Sequence, residues 1–212
     1  MSPILRAFAL LTILMAAVFH GTASEAAERA GTVTRVKGEA SATTAGAPSR
    51  ALAEGAEIFV GDEVKTGAAT RLEITMVDDA KLTLGDNSRL VIDAYVFQPQ
   101  AKKGNGALRV VEGVFRATSG KIGKLESAPF RVGMPAATLG IRGTEFWGEV
   151  KGEGLLVALL DGKGVFLENR AGRVDIARKG YATRIAGPDA KPSAPFKLSD
   201  DQVKAALATV AW

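Results

Sequence analysis

The sequence predicts an all-β fold of many short strands, rolled into a sandwich or β-solenoid-like body and closed by a short C-terminal α-helix. Three observations carry this. Beyond Gly31, apolar and polar residues alternate with period two, as in strands with one buried face. Turn residues cut that alternation roughly every 8–12 positions. The 212 residues include 24 glycines and only 6% aromatics, a composition suited to tight turns and short strands rather than long helices. Sandwich, barrel and solenoid share this pattern, and the pattern alone does not choose among them.

Residues 1–27 read as a secretory signal peptide. Arg6 supplies a positive charge, and Ala7–Phe19 is an apolar run of 13 residues broken only by Thr12. A bilayer span needs ~20 apolar residues, so this run is too short for an anchor. Gly21-Thr22-Ala23 and Ser24-Glu25-Ala26 are both small-x-small cleavage sites. The expected location is periplasmic or secreted, with no transmembrane helix after cleavage.

Export has a chemical consequence. The chain has no cysteine, and its single histidine, His20, lies in the leader. The mature chain then has neither residue, which excludes disulfides, Ser-His-Asp and Cys-His catalysis, and histidine- or thiolate-bearing metal sites. No cofactor, metal or catalytic residue is expected. Acid/base chemistry could rest only on carboxylates, lysine or tyrosine, as in a carboxylate-pair glycosidase, but nothing places two carboxylates in one cleft. The formal charge of +4 survives loss of the leader, because Arg6 and Glu25 leave together. For an exported protein that charge suits an anionic envelope glycan or plain solubility better than nucleic acid.

Residues 28–186 form the expected β domain. Leu72, Ile74 and Met76 share one face, Asp78-Asp79 turns the chain, and Leu82 and Leu84 resume the alternation. Gly85-Asp86-Asn87-Ser88 precedes Leu90 and Ile92. Leu108 and Val110 lead to a predicted Glu112-Gly113 turn before Phe115–Thr118. Leu155–Leu160 is continuously apolar, as a strand covered on both faces would be. Asp161-Gly162 predicts a hairpin into Val165–Glu168. Strands around Val174–Ala177 and Tyr181–Ile185 bring the expected count to about a dozen. Pro188, Pro192 and Pro195 mark residues 187–198 as a linker, and residues 199–212 as a helix. Ser199 caps it, Asp200 and Asp201 sit in its first turn, and Val203, Ala206, Leu207 and Val210 make one apolar face.

Two segments are less generic. Leu52-Ala-Glu-Gly55 followed by Val60-Gly-Asp-Glu-Val-Lys-Thr-Gly67, read with Arg71-Leu-Glu-Ile, resembles the start of a FecR domain. Thr138-Leu-Gly-Ile-Arg-Gly-Thr-Glu-Phe146 resembles the (V/I)-R-G-T-x-F run that ends that domain, and Gly113–Gly120 fits its middle element, with serine where threonine is commoner. The core motifs fall within residues 31–150. The resemblance implies a β-rich periplasmic module, a non-enzymatic role in interaction or sensing, and a link to envelope signal transduction. Its best-known members relay signals from an outer-membrane receptor to a sigma factor. An envelope structural or anionic-polysaccharide-binding protein is the alternative.

Within these motifs, Arg142, Thr144 and Trp147 are the candidate binding residues, for a protein partner or an anion. Phe146 and Trp147 point to opposite strand faces, so an exposed Trp147 would anchor a partner. Gly61, Asp62, Thr66, Gly67, Gly140 and Gly143 are expected to shape the backbone, with Asp62 accepting local donors. Asp78, Asp79 and Asp86 do not match an EF-hand loop, and Gly113–Lys121 misses the phosphate-loop spacing. Arg170, Arg173, Arg178, Lys179 and Arg184 form a basic series that would face solvent or an anionic surface.

Overall fold

Alternation along the chain becomes two sheets with their apolar faces turned together. The computed structural model describes residues 27–125, 130–141 and 143–212. The expected signal peptide, apart from its last residue, and Arg142 lie outside the described residues. The strands are β1 (Arg29–Lys37), β2 (Ala40–Thr44), β3 (Arg50–Ala51), β4 (Glu57–Phe59), β5 (Asp62–Thr66), β6 (Arg71–Met76), β7 (Lys81–Leu84), β8 (Arg89–Gln98) and β9 (Lys103–Thr118). They continue as β10 (Phe130–Met134), β11 (Ala137–Ile141), β12 (Thr144–Lys151), β13 (Gly154–Gly162), β14 (Val165–Asn169), β15 (Gly172–Ile176), β16 (Tyr181–Ile185) and β17 (Phe196–Lys197), before the helix α1 (Asp200–Ala208). The fold is all-β with one short C-terminal helix.

The first sheet runs in the order β4-β1-β6-β7-β9-β12-β13-β16-β17. The second runs β3-β2-β5-β8-β9-β10-β11-β14-β15. Every pairing is antiparallel except β9 with β10. Strand β9 belongs to both sheets. Lys103–Glu112 pairs with β8 in the second, and Gly113–Thr118 pairs with β12 in the first. The predicted Glu112-Gly113 turn is therefore a bend inside one strand. Gly113 has φ 94°, and a Cβ there would stand 2.4 Å from the Ser88 Cα, so the crossing depends on glycine.

Most hairpins keep the chain in one sheet, and corners move it to the other. The Asp78-Asp79 turn joins β6 to β7 within the first sheet, as its sequence implies. Asp161-Gly162 does not make the expected hairpin, because β13 pairs with β12 and β16 whereas β14 pairs with β11 and β15. Gly162, at φ 101°, turns a corner between sheets. The dozen strands expected rise to seventeen among the described residues, because pieces as short as Arg50–Ala51 have no periodicity to read.

The main core lies between the sheets and includes Leu72, Ile74, Met76, Leu82, Leu84, Leu90, Ile92, Phe115, Phe146, Val157 and Leu159. Each such side chain contributes about 1.5–3 kcal/mol of burial. The Phe115 and Phe146 rings meet edge-on at 5.9 Å. Residues 187–198 are more than a linker. Ser193 N–H donates to the Arg184 carbonyl, and β17 pairs with β16 through Tyr181↔Lys197 and Ala182↔Phe196. The prolines lack the donors that a further strand would need, so the strap finishes this sheet edge.

Candidate interaction surfaces

The polar motif residues are consumed inside the fold. Asp62 is fully buried at the corner between β4 and β5. It accepts from Thr44 Oγ1 at 2.6 Å, Arg50 Nη1 at 3.0 Å, Arg50 Nη2 at 2.5 Å and Phe59 N–H at 2.8 Å. Burial works against its ionisation, but the bonds from Arg50, Thr44 and Phe59, with the Arg50 charge, outweigh it and hold the carboxyl below its ordinary value. Gly61, at φ 88°, makes the corner, and its N–H reaches the Ile92 carbonyl at 2.8 Å. At the far end of β5, Thr66 Oγ1 donates to the Gly85 carbonyl at 2.6 Å and accepts from Ser88 N–H at 2.9 Å. Gly67 N–H donates to the Glu39 carbonyl at 2.8 Å.

Thr144 is 3% exposed and offers no surface contact. Its N–H donates to Ser119 Oγ at 2.7 Å, and its Oγ1 donates to the Gly164 carbonyl at 2.7 Å. It therefore clamps the start of β12 to the corner before β14. Gly162 lets the two backbones approach, since a Cβ there would come within 2.4 Å of the Gly143 carbonyl oxygen, and Gly143 supplies the turn with φ 58°. Gly140 serves packing, since its missing Cβ leaves room for the Phe166 ring.

Trp147 does not stand exposed. Phe146 enters the main core, while Trp147, 3% exposed, lies on the outer face of the first sheet beneath α1. There it joins Val114, Ala158, Ala182, Leu198, Ala206 and Val210 in a second apolar cluster. Its indole N–H donates to Thr209 Oγ1 at 3.0 Å. Leu155–Leu160 reads as doubly covered for this reason: Leu155, Val157 and Leu159 face the main core, and Ala158 faces the helix. The helix begins with a full capping box between Ser199 and Gln202.

Much of the basic series is neutralised locally. Arg170 pairs with Asp189, Arg173 with Asp175 at 3.0 Å, and Lys179 with Asp161 at 3.7 Å. The Arg173 guanidinium also stacks 3.9 Å over Phe166, and Arg178 lies over Tyr181. The open surface is the outer face of the second sheet. There Arg131 has Ala107 and Gly140 as cross-strand neighbours, with Gly133, Thr138 and Phe166 on the same face. A groove of about 660 Å³ lies at the rim of the same sheet, lined in part by Leu52, Lys65, Thr66 and Gly67 from the family motif.

One buried group escaped sequence reading. Asp78 Oδ1 accepts from the Tyr95 hydroxyl at 2.7 Å and Ala80 N–H at 3.1 Å, and Oδ2 accepts from Ile122 N–H at 2.9 Å. Burial, then the charge and hydrogen bond of Asp78, push the Tyr95 hydroxyl well above the ordinary tyrosine range. Period-two reading gives no signal for it, because a register shift between Ile92 and Ala94 turns Tyr95 inward out of phase with Leu90 and Ile92. Among the described residues, no group of three or more His, Cys, Asp or Glu could hold a metal ion. Nor is any helix there long and apolar enough to cross a membrane.

Residues 62–163, from the buried Asp62 to the corner after β13, match the family described as FecR protein. Two crystal structures of a "putative anti-sigma factor" from Parabacteroides distasonis ATCC 8503, at 1.65 and 2.50 Å resolution, share the fold with TM-scores of 0.54 and 0.55. Both are 14% identical over 68% of this chain, and the match spans 64% and 63% of theirs, just under two thirds of their length. No curated protein matches the chain. The two-sheet fold, the buried Gly-Asp corner and the sequence match agree that residues 62–163 carry a FecR-type domain.

Proposed function

We propose that this chain is an exported, non-enzymatic interaction and sensing module of envelope signalling, and that its contact surface is the open face of the second sheet. The match to the FecR family over residues 62–163 carries this reading. The internal use of Asp62, Thr66 and Thr144 supports it, because a motif spent on corners leaves recognition to exposed strand residues such as Arg131 and Thr138. The anti-sigma description of the structural neighbours belongs to those proteins, and it favours a regulatory over a structural role here. An anionic glycan draws less support, since Arg170, Arg173 and Lys179 already face carboxylates.

A photo-crosslinking residue at position 131 or 138, in the producing cell, tests the reading. The expected result is one discrete adduct with an envelope protein, formed only when residues 1–27 are present. Deletion of the gene should shift a defined set of transcripts that the exported chain restores. Absence of both adduct and transcript change, with salt-sensitive retention of the pure protein on an acidic polysaccharide, would establish the glycan reading instead.

A further inference from the structure

We propose that residues 196–212 are a releasable latch on the outer face of the first sheet, and that a second copy of the chain can supply the same segment in exchange. The latch has its own apolar cluster. Leu198, Ala206 and Val210 pack on Val114, Trp147, Ala158 and Ala182, and none of these residues belongs to the core between the sheets. The sandwich can therefore stay closed while this face opens.

The anchors of the segment are few and lie at separate points. β17 contributes two residue pairs to β16, and Leu198 N–H donates to the Gly180 carbonyl at 2.9 Å. Thr209 Oγ1 receives the Trp147 indole N–H, Arg71 Nη2 reaches the Ala208 carbonyl at 3.5 Å, and the Arg35 guanidinium lies 3.9 Å over the Trp212 ring. A nine-residue helix is shorter than the ~12–15 residues an isolated helix needs, so α1 holds its shape only while docked. These features place the segment at the low end of local opening energies, apart from the strands beneath it.

The docking face fits one kind of occupant, a two-residue strand followed by a capped helix with small apolar side chains. A second copy carries that module by construction, and exchange would remake every contact without loss. The connection allows it once its own bonds open, chiefly those of Ser193 to Thr183 and Arg184 and of Ala190 to Asn169: residues 187–195, three of them proline, then reach ~28 Å as extended chain. The proposal concerns a face opposite to the one assigned to signalling, so either can fail alone.

Two measurements on the full chain test it. In the wild-type protein, amides of Val203–Ala208 should exchange with deuterium at least about tenfold faster than those of Phe146–Val150 and Val157–Leu159. Equal protection would mean that the helix opens only with global unfolding, and would overturn the latch. Deleting Asp189-Ala190-Lys191 should prevent the helix from folding back on its own sheet. In a Trp212→Phe background the shortened chain should sediment as a dimer, with Trp147 emission as blue as in the parent. A monomer with red-shifted Trp147 emission would overturn the exchange.

Discussion

Two buried carboxylates show how differently the same residue type is stabilised. Asp62 is ionised against Arg50 and two further donors, Thr44 Oγ1 and Phe59 N–H, whereas Asp78 takes one hydroxyl and two backbone N–H groups. The folded Asp62 carboxyl titrates below its unfolded value of about 3.9, so acidification favours the proton-binding unfolded chain. Its contribution is complete above pH ~4 and is lost as the pH falls through the folded value. Asp62→Asn should cost about 2 kcal/mol in urea unfolding at neutral pH, and its stability should fall less than the wild type's between pH 5 and 3. An equal acid slope in both proteins would show that other carboxylates set it. Tyr95 gives the opposite sign: a raised folded value means its contribution is present below pH ~10 and lost above it. In an absorbance titration Tyr95 should give no phenolate signal up to pH 11, and its phenolate should appear only with alkaline unfolding. At this scale the sequence was informative about Asp62, whose Gly-Asp corner is local. It was silent on Asp78, whose partners Tyr95 and Ile122 are 17 and 44 residues away.

Glycines decide which elements bend. Gly113 and Gly140 both exclude a Cβ, but for different reasons that give different costs. At Gly113 the backbone is at φ 94° and the new methyl would strike the Ser88 Cα, which cannot move without its sheet. At Gly140 the obstacle is the tip of the half-buried Phe166 ring, 2.2 Å from the added Cβ, which can swing outward. Gly113→Ala should therefore cost about 3 kcal/mol or more, and Gly140→Ala about 1 kcal/mol with loss of the Arg173 stacking, both read from urea midpoints. Similar costs would show that the crossing of β9 does not depend on its positive φ. The period-two pattern made strands legible, including doubly covered Leu155–Leu160, yet it could not tell a turn from a sheet-to-sheet crossing. Glu112-Gly113 and Asp161-Gly162 carry the same local chemistry as hairpin turns, and only the strands available for pairing decide which they become. Trp147 was misplaced for a related reason, because the helix that covers it begins 53 residues later and nothing local specifies where it docks.

At the scale of the whole molecule, the family motif and the folding unit have different limits. Residues 62–163 run from β5 to just past β13, but four of these strands also pair with elements outside that span. β6 loses β1, β5 loses β2, β11 loses β14 and β13 loses β16 if the chain is cut there. Four strands would then present open edges, and core residues Val33, Ala42, Ile58, Leu167, Ile176 and Ile185 would be missing from the space between the sheets. Because β9 lies in both sheets, neither sheet can compensate for losses in the other. A fragment of residues 62–163 is therefore expected to show no cooperative thermal transition by circular dichroism, whereas residues 28–212 unfold in one step in which far-ultraviolet and tyrosine signals coincide. Cooperative melting of the fragment would mean that the flanking strands are accessories to a smaller core. Its absence would place the minimal folding unit between β1 and β16, with the sandwich completed by strands that lie on both sides of the motif in sequence and bracket it in space.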